Sequence, residues 1–206
     1  MTLRLKPGTI LNEGDLSMLL EMSRTPIREA ITQLRQEWLV EVAAQSGTKV
    51  SLISHELIRE GYSTRLLIES SILKDYAGKL KNDERIKLAN SLEKQEQAKN
   101  LMQTNPDLFI RLDDEFHHLL YEFAGRKYTL KAIKGLISHY DRARYLAAME
   151  GISSGEKNLN DHKKIYSYML MGLPPDIDAY NVMLHHLGHF GNDLFSLSEK
   201  YNKYFI

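Results

Sequence analysis

Apolar residues recur at helical spacing along most of the chain, and strand-like runs occur only near its N-terminal end. Two helices are expected in that part, one at about 13–21, which Asn12 can cap, and one at about 25–37. The second helix carries the i, i+3, i+4, i+7 stripe of an amphipathic helix at Ile27, Ala30, Ile31 and Leu34.

Two β-prone runs follow at 38–42 and 48–52, and Gly47 supplies the turn between them. Helix, turn, helix and β-hairpin is the order of a winged helix-turn-helix domain, which we assign to residues 1–53. Over residues 54–206 strand signals are absent, and loops with Gly, Pro, Asn or Asp separate the expected helices 55–80, 83–103, 106–124, 127–150, 157–172 and 176–200. The expected fold is mainly α, a winged domain followed by an all-α antiparallel helical bundle.

A helical-wheel count at about 100° per residue turns four potential metal ligands toward the inside of this bundle. Asp113 and His117 lie on the flank of one apolar stripe, whereas the residue after each points to the opposite side. His162 and His186 lie in the middle of the apolar stripes of the last two helices. These residues form an N3O donor set that suits a divalent Zn, Ni, Mn or Fe ion, with zinc favoured. The alternative is that the histidines are ordinary core residues, each hydrogen-bonded to a carbonyl or a tyrosine.

Charged side chains also point inward on two helices. The same count places Arg65 and Glu69 at the centre of one apolar stripe and Arg144 inside another, while Arg142 points outward. A buried arginine costs several kcal/mol unless it is paired, so two interpretations stay open. In the first, Arg65 pairs with Glu69 and only holds helices together. In the second, Arg65 and Arg144 bind a small anionic effector beside the metal.

Composition narrows the possible functions. The 206 residues include 27 basic and 27 acidic side chains, so any nucleic-acid contact must come from a local patch. Cysteine is absent, which excludes disulfides and thiolate metal sites and suits a reducing cytoplasm. No apolar run approaches the roughly 20 residues of a membrane span, and no signal peptide is visible.

The local basic patch is found on the second helix. Opposite its apolar stripe lie Arg24, Arg28, Thr32 and Arg35. Arginine at a helix N-terminus is unfavourable for the helix dipole, and a DNA phosphate at that end reverses this argument. The alternative is that these arginines are simply solvated, as most exposed arginines are.

The N-terminal sequence strongly resembles the winged-helix domain of GntR-family bacterial transcription regulators. The resemblance lies in a Leu-x-Pro-Gly start at 5–8, a glycine in the wing, and the segment SRTPIREA, which opens the recognition helix in that family. It implies that Arg24, Thr25 and Arg28 read DNA and that Gly47 forms the wing tip.

The rest of the chain resembles the FadR-type effector domain called FCD, through DDEFHHLL at 113–120, DHKKI at 161–165 and MLHHL at 183–187. The family's metal ligands fall on Asp113, His117, His162 and His186. The resemblance implies a homodimeric regulator of the bacterial cytoplasm that is not an enzyme and is expected to be a repressor. Its partners would be double-stranded operator DNA and a small carboxylate effector.

Three features depart from the family pattern. The family normally has another helix before the Leu-x-Pro-Gly segment, and this sequence starts close to that segment, so the first helix is expected to be missing or truncated. Trp38 stands where the family usually has glycine, which predicts a distorted or extra-packed entry to the wing. The connection 172–178 is about two residues longer than usual, so His185 or His189 is a fallback for His186.

Two rival functions remain at this point. A metal-dependent enzyme in a helical bundle would need a general base beside the metal, and it would leave the DNA-binding motif unexplained. An interaction protein with a degenerate DNA-binding domain would bind no metal.

Overall fold

The computed structural model describes residues 2–43, 47–102, 104–189, 191 and 194–206. Its N-terminal part contains two helices and a three-stranded antiparallel sheet of order β1-β3-β2. In chain order the elements are β1 (Ile10–Leu11), α1 (Glu13–Leu19), α2 (Arg24–Gln36), β2 (Val40–Ala43) and β3 (Gly47–Val50). The predicted helix-turn-helix and hairpin are confirmed, and the structure adds the two-residue strand β1.

The second part consists of helices. They are α3 (His55–Tyr76), α4 (Asn82–Met102), α5 (Pro106–Phe123), α6 (Lys127–Ile133), α7 (Ser138–Met149), α8 (Gly155–Met171), α9 (Ala179–Leu187) and α10 (Leu194–Lys200), followed by a 3-10 turn at Asn202–Tyr204. None of the described helices is long and apolar enough to cross a membrane. The expected mainly α fold, a winged domain followed by a helical bundle, is confirmed.

Two predicted helices are each divided in the structure. The helix expected at 127–150 is interrupted by turns at 134–137, so α6 and α7 have separate axes. The helix expected at 176–200 begins only at Ala179, where Asp178 caps it, and ends at Leu187 before a turn at Gly188. Apolar periodicity continues through both interruptions, and for that reason the sequence pattern did not reveal them.

The winged part has a small core of its own. It consists of Leu11, Ile27, Ile31, Val40 and Val50. Ala30 and Leu34, which the helical stripe placed inside, are exposed, because this thin layer covers only the centre of the α2 face. Asn12 caps α1 as predicted, accepting a hydrogen bond of 2.8 Å from the Gly14 N–H.

The helical part buries a much larger core. One cluster joins α3, α4, α5, α8 and α9 and includes Leu73, Leu88, Phe116, Ile165 and Met183. A second cluster joins α3, α7 and α10 and includes Ile58, Tyr140 and Leu197. These two cores hold α3, α5, α8 and α9 close together, and the polar side chains described below lie where those helices meet.

Candidate functional site

The four predicted metal ligands lie together in the interior of the helical part. Asp113 and His117 stand one turn apart on α5, His162 lies on α8 and His186 on α9. Each of the four side chains has a ligand atom within 4.8 Å of those of the other three. The histidine at 186, and not the fallback residues 185 or 189, completes this group.

Distances within the group are those of donors that can share one small cation. His186 Nε2 lies 3.0 Å from His117 Nε2, and Asp113 Oδ1 lies 3.5 Å from His162 Nε2. His117 Nε2 lies 3.8 Å from Asp113 Oδ2. Since zinc binds imidazole nitrogen at about 2.0–2.1 Å, ligand atoms separated by 3 to 4 Å can surround one ion.

Each imidazole turns its Nδ1 away from the centre of the group and toward an oxygen atom of another helix. These contacts are His117 Nδ1 to Glu69 Oε2 at 2.7 Å, His162 Nδ1 to Gln95 Oε1 at 2.7 Å, and His186 Nδ1 to Asp161 Oδ2 at 3.5 Å. The Nε2 atom of His162 is buried and has no hydrogen-bond partner among the described residues. A metal ion fits this arrangement, because oxygen atoms beside the outer ring nitrogens and a buried inner nitrogen without a partner are usual surroundings of histidine ligands.

The electrostatics favour the protonation states that a metal requires. Burial lowers the pKa of His162 well below its ordinary value, with a contribution from the nearby His186. Burial likewise lowers the pKa of His186. Burial alone would raise the pKa of Asp113, but the charge of Arg144 dominates together with the histidines and holds it well below the usual value. Neutral His162 and His186 therefore lie beside the ionised carboxylate of Asp113.

Arg144 is held by three aspartates. Its guanidinium donates to Asp113, lies 2.8 Å from Asp141 Oδ1, and contacts Asp114 Oδ1 at 3.1 Å. Asn158 donates to the other oxygen of Asp113. Arg144 is buried as the sequence predicts, and its role toward an effector stays a prediction.

Arg65 makes the ion pair that the sequence offered as the alternative to effector binding. Its Nε lies 2.8 Å from Glu69 Oε1, and the two side chains are 5% and 0% exposed. Burial opposes ionisation of Glu69, but Arg65 and His117 hold its pKa below the ordinary value. The same arginine also lines the cavity described next, so its predicted effector role remains a prediction.

A cavity of about 130 Å³ opens beside three of the four predicted ligands. Both inward arginines, Asp113, His117 and His186 contribute to its wall. Other residues of the wall include Tyr140, Lys157, Asn158 and His189. The arginines, the lysine and any bound cation would together favour an anionic ligand, and the volume limits it to a small molecule.

Sequence reasoning did not identify Asn158, Lys157, Gln95 or Asp161 as site residues. Asn158 precedes His162 by four residues and so shares its helix face, which is a signal that the sequence contains. Gln95 gives no such signal, because one amide within a polar helix does not indicate burial.

The predicted DNA-contacting side chains of α2 are all exposed. Those residues are Arg24, Thr25, Arg28, Thr32 and Arg35. Ile27 and Ile31, on the opposite face, are buried in the small core. Arg28 Nε lies 2.8 Å from Glu13 Oε2 of α1, in a pair that is 65% and 33% exposed. Gly47 begins β3 with a φ of 74° and is exposed, whereas the turn at 44–46 lies outside the described residues.

The prediction that Arg142 points outward is wrong. Arg142 is 2% exposed, and its guanidinium donates to the Ser51 carbonyl at 2.6 Å and to Ser51 Oγ at 3.1 Å. The wheel assumed one helix with a solvent face, but α7 is enclosed on nearly all sides. Its outward-facing side packs against the winged part.

Further hydrogen bonds join α7 to the winged part. Ser138 Oγ donates to the Glu37 carbonyl at 2.9 Å. His139 Nδ1 accepts from the Ser54 N–H, and its Nε2 lies 2.9 Å from the Trp38 carbonyl. One neutral tautomer, protonated at Nε2, satisfies both contacts.

Trp38 shows why glycine is the expected residue at the entry to the wing. Its φ is 55°, in the left-handed region that disfavours a large side chain, and the indole is 46% exposed. Of the two outcomes predicted, a distorted entry fits these observations, and extra packing does not.

Two family models match the chain. The model described as bacterial regulatory proteins of the gntR family matches residues 1–50, and the FCD domain model matches residues 60–189. The HTH-type transcriptional repressor RspR of Escherichia coli K12 is 32% identical over 161 residues, which is 78% of this chain and 69% of the relative. The Nta operon transcriptional regulator of Aminobacter aminovorans is 24% identical over 155 residues, 75% of this chain and 72% of the relative.

Solved structures share the fold. A GntR transcriptional regulator of Rhodococcus sp. RHA1 superposes with a TM-score of 0.70 at 18% identity, covering 97% of this chain and 92% of that one. McbR/YncC of E. coli gives a TM-score of 0.70 at 20% identity, with 98% and 92% covered.

Proposed function

Because the chain belongs to the GntR family and carries an FCD domain, it is a DNA-binding transcriptional regulator, and we propose that a divalent metal and a small organic acid control its binding to an operator. We further propose that it acts as a repressor in the cytoplasm and not as an enzyme. The observation that carries the proposal is the buried group of Asp113 and three histidines whose rings are oriented by outer oxygens.

Asp113, His117, His162 and His186 would hold the metal, with zinc as the favoured ion. A bound cation supplies a Lewis-acid anchor for an oxygen of the effector. The protein's own residues would orient the rings: Glu69 and Gln95 lie 2.7 Å from the Nδ1 atoms of His117 and His162, and Asp161 lies 3.5 Å from that of His186. Arg144, which neutralises Asp113, would become available to the effector as the metal takes over that role.

The effector would be a small carboxylate in the cavity beside this group. Arg65 and Arg144 provide positive charge on its wall, and Lys157 adds a further cation. A guanidinium can bind a carboxylate through two parallel hydrogen bonds, which makes both arginines suitable partners. A volume of about 130 Å³ favours an acid of few carbon atoms.

Helix α7 would connect the cavity to the winged part. Tyr140 and Arg144 face the cavity, whereas Ser138, His139 and Arg142 bond to residues 37–54. An effector that changes the position of Arg144 would therefore move the groups that hold the winged part. Differential binding to two such arrangements is what allows a ligand to change DNA affinity.

DNA would be bound by α2, with the wing at Gly47 in contact with the adjacent groove. Arg24, Thr25, Arg28, Thr32 and Arg35 would contact phosphates and base edges. We divide the chain into a DNA-binding domain at 1–53 and an effector-binding and dimerisation domain at 54–206. A homodimer would place two recognition helices in successive half-sites of the major groove.

The test uses the full chain and operator DNA selected from a random duplex pool. Fluorescence anisotropy measures its affinity with zinc, with a chelator, and with zinc plus each member of a series of two- to six-carbon acids. We expect at least one acid to change the affinity by about 5- to 150-fold, the usual range of allosteric coupling, and only when zinc is present. An affinity that no acid and no metal alters would contradict the proposal.

The connection through α7 has its own test. Arg142→Ala removes both contacts with Ser51. We expect this variant to bind zinc and the acid as the wild type does, while the effect of the acid on DNA affinity becomes smaller. Arg111→Ala, at an exposed arginine of α5, serves as the matched control and should respond normally. An undiminished response in Arg142→Ala would show that the coupling takes another route.

A further inference from the structure

His186 has two faces, and only one of them belongs to the group described above. Its Nε2 points to His117, at 3.0 Å. Its Nδ1 is buried, makes no hydrogen bond with any described residue, and lies 3.5 Å from Asp161 Oδ2. A buried ring nitrogen directed at a carboxylate without a hydrogen bond is a ligand atom whose partner remains to be found.

More imidazoles converge on the same carboxylate from the outer side. His189 Nε2 lies 2.5 Å from Asp161 Oδ2, and His185 Nε2 lies 3.9 Å from Asp161 Oδ1. The ligand atoms of Asp161, His186 and His189 all fall within 4.8 Å of one another. Both oxygens of Asp161 therefore face imidazole nitrogens.

We propose that Asp161, His186 Nδ1, His189 and His185 form a second divalent-metal position, separated from the inner one by the ring of His186. Two or three imidazoles and one carboxylate are donors for borderline first-row ions such as Zn²⁺, Ni²⁺ or Cu²⁺. On α8, Asp161 would bind the outer ion and the adjacent His162 the inner ion. On α9, His185 would bind the outer ion, and the ring of the adjacent His186 would contact both. The proposal depends on the inner position only through the shared ring of His186, which would bind both ions as an imidazolate after losing its remaining ring proton to water.

The histidines of the outer position are more exposed to solvent than His162 of the inner position. The side chains of His185 and His189 are 70% and 31% exposed, whereas that of His162 is 0% exposed. A metal could enter the outer position without any opening of the bundle.

A simpler role for Asp161 is to orient His186 as a ligand of the inner metal. That role requires one carboxylate oxygen and one imidazole. It does not use His185, which approaches the other oxygen, or His189, which makes the shortest contact with the carboxylate. The two roles predict different numbers of bound ions, so stoichiometry separates them.

The experiment measures zinc bound per chain. Full-length protein is stripped with a chelator, dialysed against a range of Zn²⁺ concentrations, and analysed by inductively coupled plasma mass spectrometry. We expect two equivalents in the wild type, one in His189→Ala and one in His162→Ala. His118→Ala, at an exposed histidine outside both groups, should keep two equivalents. Far-ultraviolet circular dichroism confirms that each variant is folded.

Two outcomes would overturn the second position, and a third would overturn the inner one. One equivalent in the wild type that disappears in His162→Ala and persists in His189→Ala leaves the inner site intact and removes the outer one. Loss of all zinc in both His189→Ala and His162→Ala would mean that a single site includes both residues. One equivalent that disappears only in His189→Ala would support the outer position and remove the inner one, so the two proposals fail separately.

Discussion

The winged part and the helical part each contain an arginine–glutamate pair with a 2.8 Å separation, but the surroundings of the two pairs differ. Arg28 and Glu13 are 65% and 33% exposed, whereas Arg65 and Glu69 are 5% and 0% exposed. In the winged part, water stabilises the separated charges nearly as well as the pair does, so DNA phosphate can replace Glu13 at little cost. In the helical part, separating the charges would leave each one buried.

Because of this difference, arginine serves distinct roles in the two parts. The exposed arginines of α2 are available for an outside partner. The buried Arg65 and Arg144 of the helical part are paired with Glu69, Asp113, Asp114 and Asp141, so a ligand must exchange with an existing partner. The first arrangement suits binding to a large polyanion, and the second suits selection of a small molecule.

The largest expected effect is on the buried pair. Glu69→Ala leaves Arg65 buried without its carboxylate and should lower the free energy of unfolding by about 3–5 kcal/mol. Glu13→Ala, the matched change in the exposed pair, should lower it by less than about 1 kcal/mol. Urea unfolding followed by circular dichroism measures both. Equal losses would remove the contrast between the two regions.

Metal should stabilise the helical part next most strongly. Zinc at about 100 times its dissociation constant should raise the free energy of unfolding by about 2.7 kcal/mol, through preferential binding to the native state. Thermal unfolding with zinc and with a chelator measures the shift. His162→Ala should lose the part of this shift that comes from the inner position, and an undiminished shift in that variant would exclude His162 as a ligand.

The exposed arginine should matter for DNA and not for stability. Arg28→Ala should weaken operator binding by about 1–3 kcal/mol, the value of one good base contact, in an anisotropy titration. Its free energy of unfolding should change by no more than about 0.5 kcal/mol. Arg111→Ala, in the helical part, should leave DNA affinity unchanged. An unchanged affinity in Arg28→Ala would remove that residue from the DNA interface.

The smallest effect should be a pH dependence where the two parts meet. Burial lowers the pKa of His139 below its ordinary value of 6.5, so the unfolded chain binds this proton more tightly than the native protein does. Native stability should therefore fall as the pH drops below about 6.5 and level off below the native pKa. His139→Gln should show a weaker dependence in urea unfolding at a series of pH values. Identical pH profiles would exclude a contribution from His139.

Much of the architecture could be predicted because apolar spacing is a local property. The helix-turn-helix, the hairpin and the bundle follow from that spacing. Asp113, His117, His162 and His186 could be grouped because each lies on the inner face of its own helix, and inner faces of neighbouring helices meet.

The errors arise where a side chain depends on more than one neighbour. The wheel gave Arg142 an outer face, but α7 has the bundle on one side and the winged part on the other. Ala30 and Leu34 fit the stripe of α2, yet the three short strands are too small to cover them. Asp161 and Gln95 lie beside the Nδ1 atoms of His186 and His162, on the side away from the predicted metal position. The sequence of one helix does not indicate which residue of another helix will lie there.

Helix α7 would also set the distance over which the two proposed binding events communicate. Ser138, which bonds to the winged part, and Arg144, which faces the cavity, are six residues apart on this one helix. At a rise of 1.5 Å per residue that interval is about 9 Å. No long chain of intermediate contacts is then required. The segment between Ser138 and Arg144 is shorter than two helical turns, so a tilt or slide of this one helix displaces both residues. Within 138–144, Ser138, His139 and Arg142 contact residues 37–54, while Tyr140 and Arg144 line the cavity, so this short segment belongs to both surfaces.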